Sequence, residues 1–126
     1  MQDPVRLLVV DDEFSVCLSL SEFLTDLGFD VSMALSAEDA IKQLKNDAPA
    51  LMIVDIRLPG MDGTRLIQNA NILHPQIKYL IHTGSVAFSI PEYLKKIGLS
   101  AENVLIKPVK DLKVFETKIR EILKRV

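Results

Sequence analysis

Apolar runs of strand length alternate with segments of helical period along this chain, and no other feature restricts its fold as strongly. That alternation is the signature of βαβ units, which build a parallel sheet covered by helices on both faces. The runs predict strands over Val5 to Val10, Phe29 to Ala34, Ala50 to Val54, Ile77 to His82 and Asn103 to Ile106. Between the first two, Val16, Leu20, Phe23 and Leu27 recur at helical spacing, as do Leu112, Phe115, Ile119, Ile122 and Val126 near the end. Ser36 ahead of Glu38 and Asp39 reads as a helix start, and Ser89 with Glu92 as a capping box. Gly28 and Gly98 read as helix stops.

Strand texture also predicts spatial order. A parallel strand buried on both faces is continuously apolar, as VRLLVV and ALMIV nearly are, whereas FDVSMA alternates and belongs at an edge. The expected architecture is therefore an α/β doubly wound five-stranded parallel sheet with strand order 2-1-3-4-5. At 126 residues the chain supports one core, so a single domain over 1–126 is expected. A net charge of -2 gives no electrostatic reason to expect nucleic acid or a membrane surface as partner. The apolar runs fall far short of the ~20 residues of a membrane span, and the start MQDPVR lacks signal-sequence character, so a cytoplasmic location is expected. With Cys17 alone and two histidines, the chain is poor in soft metal ligands, and any metal should be hard and oxygen-bound.

In a doubly wound sheet, ligands bind outside the carboxyl ends of the strands, near the point where strand order reverses. The residues reaching that rim are Asp11, Asp12 and Glu13 after the first strand, Asp55 after the third, Thr83 and Gly84 after the fourth, and Lys107 after the fifth. Any one alone has a plain structural explanation, because an Asp after a strand commonly caps a helix and a Lys is commonly solvated. Together they do not, since carboxylates crowded at one rim repel one another unless a cation neutralises them. Oxygen ligands with access for water suit Mg²⁺, and an aspartate beside a cation, an ammonium and a hydroxyl is equipped to accept a phosphoryl group.

These residues carry a resemblance. The paired acids of LLVVDDE, the segment IVDIRLPGMDG with Asp55 in the acceptor place, Thr83 with Gly84, and Lys107-Pro108 are similar to response-regulator receiver domains over nearly the whole chain. The resemblance implies the flavodoxin-like receiver fold and a switch phosphorylated on Asp55 by a histidine kinase or phosphotransfer protein. It further implies Mg²⁺ bound by Asp12, Asp55 and the backbone carbonyl of Arg57, with Asp11 acting through water. Thr83 would hydrogen-bond a phosphoryl oxygen, and Lys107 would pair with the acceptor carboxylate and then the phosphoryl group. The Lys107-Pro108 bond would be cis, and the surface around the fourth helix and fifth strand would control a partner or output domain.

The chain departs from that pattern at Val104, where the family often has an aromatic, and in a somewhat long connection through Phe88, Ile90 and Pro91. A constitutive protein-binding module with an unused pocket is the alternative reading. An aspartate-nucleophile hydrolase would need an acid where Arg57 stands, and a flavin-binding protein would have phosphate facing Asp11 and Asp12. Cys17, His74 and His82 read as structural. The basic residues Lys113, Lys118, Arg120, Lys124 and Arg125 of the last helix read as a solvated face.

Overall fold

A computed structural model describes residues 3–125. Five strands, β1 (Arg6–Val10), β2 (Asp30–Ala34), β3 (Leu51–Val54), β4 (Lys78–Thr83) and β5 (Val104–Ile106), alternate with five helices. The helices are α1 (Phe14–Asp26), α2 (Ala37–Asn46), α3 (Gly63–Leu73), α4 (Glu92–Lys95) and α5 (Lys113–Lys124). All four strand pairings are parallel, and the order is β2-β1-β3-β4-β5, as strand texture predicts. Strand ends differ from the expected ones by about a residue, the ordinary scatter of such boundaries.

Alternate side chains of the continuous apolar strands serve opposite cores. Leu8, Val10, Met52, Val54 and Ile81 pack under α2 and α3, while Leu7, Val9, Leu51, Ile53 and Leu80 pack under α1 and α5. Edge strand β2 exposes Asp30 and Ser32. Gly28 and Gly98 end their helices at φ 99° and 103°, a region that penalises side chains with a Cβ. Ser36 caps α2 by accepting a hydrogen bond from the Asp39 amide.

The buried stripe of α1 is Cys17, Leu20, Ser21 and Leu24; of the expected Val16, Leu20, Phe23 and Leu27, Leu20 is buried while Val16 and Phe23 are half-buried, Phe23 against the same core. Cys17 and Ser21, four residues apart, hold the face toward the sheet, with Cys17 Sγ 3.5 Å from the Val9 carbonyl of β1. Leu27 becomes the C-cap and is exposed. In α5 the buried residues are Phe115, Ile119 and Ile122, while Val126 lies outside the described residues.

The capping box expected at Ser89 and Glu92 does not form. Pro91 is the N-cap of α4, which spans only Glu92–Lys95 and has no side-chain cap. A residue before proline is pushed out of helical conformation, so Ile90 cannot begin a helix that Ser89 would cap. Asn103 lies not in β5 but in a 3-10 turn, Ala101–Asn103, whose capping box it completes with Ser100. Its side-chain amide also donates to the Tyr79 carbonyl at 2.8 Å, tying the turn to β4.

On α5, Lys118 pairs with Glu102 at 3.0 Å and Arg120 with Glu116 at 3.1 Å. His74 uses its Nε2 on the Leu44 carbonyl at 2.7 Å. Buried His82 meets the Phe115 ring edge to face.

Candidate functional site

Parallel pairing stacks the carboxyl ends of β1, β3, β4 and β5, and the backbone carries the ladder just past each end. The Asp55 amide donates to the Val10 carbonyl at 3.0 Å, and the Lys107 amide donates to the Thr83 carbonyl at 2.7 Å. Each residue following a strand is thereby fixed before its side chain makes any contact.

The side chains converge on Lys107. Its Nζ lies 2.9 Å from Asp11 Oδ2, 3.1 Å from Asp55 Oδ2 and 3.3 Å from Glu13 Oε1. The other carboxylate oxygens are turned inward by backbone donors. Asp11 Oδ1 accepts from the Glu13 amide at 2.9 Å, and Asp55 Oδ1 accepts from the Arg57 amide at 3.2 Å. Asp12 is exposed, and one oxygen each from Asp11, Asp12 and Asp55 all lie within 4.8 Å of one another. Thr83 is fully buried, with its Oγ1 accepting the Ser85 amide at 3.2 Å. The Lys107-Pro108 peptide bond is cis.

Electrostatics follow from this crowding. Burial pushes the Asp11 carboxyl above its usual range, while Lys107 and the Glu13 amide pull it back. Burial also works against the Lys107 ammonium, but hydrogen bonds and attraction from Asp11 and Asp55 overcome it and hold the lysine protonated. Burial, reinforced by repulsion from Lys107, lowers His82 to about 4 and keeps the imidazole neutral. The site thus holds buried negative charge in excess of its one lysine, with an exposed acid beside it.

Asp11, Asp12, Asp55, Thr83 and Lys107 therefore reach one rim, as the sequence reading expects. Arg57 is there through its backbone, and its side chain is exposed. Two further residues carry the site. Glu13, which the sequence places at the rim without a role, joins Lys107. The second is Gly63, where a Cβ would lie 2.2 Å from the Asp55 carbonyl oxygen and 2.8 Å from Ile56 Cα. Helix α3 therefore starts pressed against the backbone of Asp55, with the Gly63 amide donating to the Ile56 carbonyl at 2.7 Å.

A doubly wound sheet with an acid cluster and a lysine at its switch point defines the class of α/β proteins that bind charged ligands at strand ends. More particularly, the response regulator receiver domain family matches residues 7–120, and the chain belongs to that family. It is 34% identical over 114 residues to the transcriptional regulatory protein ZraR of Salmonella typhimurium, covering 90% of this chain and 25% of that protein. It is 33% identical over 107 residues to the Regulator of RpoS of Escherichia coli, covering 85% and 31%. The chain thus spans about a quarter to a third of these relatives. Among solved structures, a CheY-like receiver domain protein from Methanospirillum hungatei superposes with a TM-score of 0.83 at 30% identity, covering 95% of this chain and 94% of that one. The receiver domain of a putative Luxo repressor protein from Vibrio parahaemolyticus gives 0.81 at 28% identity, covering 97% and 92%. The chain is accordingly a receiver domain of two-component signalling, and no described helix is long and apolar enough to cross a membrane.

Proposed function

We propose that this chain is a switch phosphorylated on Asp55 by a histidine kinase or phosphotransfer protein, with Mg²⁺ as its cofactor. The observation that carries this reading is the convergence of Asp11, Asp12 and Asp55 within 4.8 Å beside Lys107. The donor set fits a hard divalent cation, because it consists of carboxylate oxygens and includes the exposed Asp12, where a hydrated ion keeps contact with solvent. Asp12, Asp55 and the Arg57 carbonyl would hold the ion, with Asp11 acting through water. When bound, Mg²⁺ supplies charge neutralisation for the phosphoryl oxygens.

The remaining work falls to the chain. An oxygen of the Asp55 carboxylate forms a bond to phosphorus while the donor's phosphorus–nitrogen bond breaks, and the electron pair stays on the donor imidazole. No base is required, because a carboxylate attacks through an oxygen lone pair and has no proton to lose in the step. Lys107 neutralises charge on the transferred group, and Thr83 contributes a hydroxyl hydrogen that its bond to Ser85 leaves free. Positioning and charge neutralisation are most of what a protein can add to phosphoryl transfer.

Output is assigned to the surface between α4 and β5, which controls a partner or an attached domain. Val104 is half-buried against the core and has little volume to swing, so the signal runs through the backbone after Thr83. Phe88 and Ile90 are half-buried on that same core, and they line an open groove of about 680 Å³ with Leu99, Val104 and Ile106.

The deciding experiment treats wild type and Asp55→Asn with acetyl phosphate and Mg²⁺ and reads labelling by mass spectrometry. Labelling confined to wild type is expected. Equal labelling of the variant would remove Asp55 as the acceptor.

A further inference from the structure

We infer that Glu13 is a positioning residue that competes with the phosphoryl group for Lys107, an inference resting on the reading of Asp55 as acceptor. An ammonium has three hydrogens to donate. Here Asp11, Asp55 and Glu13 each receive one, at 2.9, 3.1 and 3.3 Å, so Lys107 has none left for an incoming phosphoryl oxygen. One carboxylate must let go.

The structure singles out which. The side chains of Asp11 and Asp55 are 3% and 7% exposed, whereas that of Glu13 is 60% exposed and can return to water. Its contact is also the longest of the three. Glu13 is moreover the N-cap of α1, where an acidic side chain can bond the free amides of its own helix. It makes no such bond, and the first turn of α1 holds no acid to do so instead. The side chain turns away from its helix and reaches Lys107, ninety-four residues later in the chain.

Glu13 therefore occupies, with a negative group, a donor that the phosphoryl group will need. Asp11, Asp12, Glu13 and Asp55 together outnumber the charges of Lys107 and one divalent cation, so a phosphoryl group arrives at a site still net negative. Removing Glu13 removes both the competitor and one repelling charge. A partly exposed ion pair has modest strength, which sets the scale at about two- to fivefold in affinity.

The test titrates wild type, Glu13→Gln and Glu13→Asp with beryllofluoride at saturating Mg²⁺, followed by ¹⁹F NMR, and separately with Mg²⁺ alone. Glu13→Gln should bind beryllofluoride about two- to fivefold more tightly. Its Mg²⁺ affinity should be unchanged or lower, because losing a negative charge cannot attract a cation. A residue that merely supported the loop would weaken both. Glu13→Asp keeps the charge but is too short for the contact, so it should bind beryllofluoride more tightly than wild type and less tightly than Glu13→Gln. Wild-type behaviour of Glu13→Asp, or equal or weaker beryllofluoride binding by Glu13→Gln, overturns the inference. If wild type itself takes no beryllofluoride, the acceptor reading falls first and this one with it.

Discussion

Replacing Gly63 with alanine sets two familiar effects against each other, and their sizes decide the outcome. Gly63 is the first residue of α3, and alanine is the better helix former by about 1 kcal/mol. On propensity alone the variant should be more stable. The added Cβ, however, would sit 2.2 Å from the Asp55 carbonyl oxygen, with Ile56 Cα at 2.8 Å and the Asp55 carbonyl carbon at 2.9 Å. All three are backbone atoms, so no side chain can rotate aside. Ordinary contact begins at 3.4 Å, and α3 or the end of β3 must move by more than an ångström. Overpacking of a rigid site costs about 1–3 kcal/mol, and sometimes more. With this contact at the severe end, the net loss should be about 2 kcal/mol, or about 8 °C in melting temperature for a domain of this size. Urea and thermal denaturation followed by circular dichroism measure it directly. Gly84→Ala is the control, since a Cβ there meets nothing within 4 Å, and its midpoint should barely change. The displaced Asp55 backbone should also weaken Mg²⁺ binding in the Gly63 variant. A Gly63→Ala protein as stable as wild type would refute the steric argument.

Asp12→Ala should weaken Mg²⁺ binding by about tenfold or more, read by titration, because it removes the exposed member of the acid cluster. Unchanged affinity would place the cation elsewhere. His82, held near 4 against 6.5 when free, makes the unfolded chain bind more protons between those values. Its contribution is complete above pH 6.5 and drains as pH falls toward 4, by at most about 1.4 kcal/mol per pH unit. Urea midpoints across that window should slope less in His82→Leu, and parallel slopes would exclude the imidazole as their source. Phe88→Ala should weaken partner binding while leaving Asp55 labelling intact, and loss of labelling would tie Phe88 to the acceptor chemistry instead.

The sheet and its rim are legible in sequence because their signals are local and strong. VRLLVV and ALMIV are apolar on both faces, and the residue just beyond each such run must lie at the strand's end. Asp11, Asp55 and Lys107 follow from that rule, with Thr83 at the last position of β4. What escaped detection depends on close approach or on competition. Ser21 gives no apolar signal, yet it is buried on the face of α1 that carries Cys17, Leu20 and Leu24. Ser89 and Glu92 have capping spacing, but the backbone restriction set by Pro91 overrides it. Asn103 looks like a strand residue until its contact with the Tyr79 carbonyl appears. Gly63 and Glu13 act on atoms distant in sequence, the Asp55 backbone and the Lys107 ammonium, and no local pattern encodes either contact.

The single turn of α4 has a thermodynamic consequence of its own. An isolated helix this short has no stability in water, so Glu92–Lys95 persists only through its contacts, chiefly buried Leu94. The chain from Gly84 to Pro91 adds no regular backbone ladder before it. Hydrogen exchange should accordingly find the protein least protected here and most protected in β1, β3 and β4, whose strands are ladder-bonded on both sides. Unfolding α4 locally sacrifices one turn of helix and leaves the central sheet untouched. A partner that recognises the opened form works against that small local free energy, not against the stability of the whole domain.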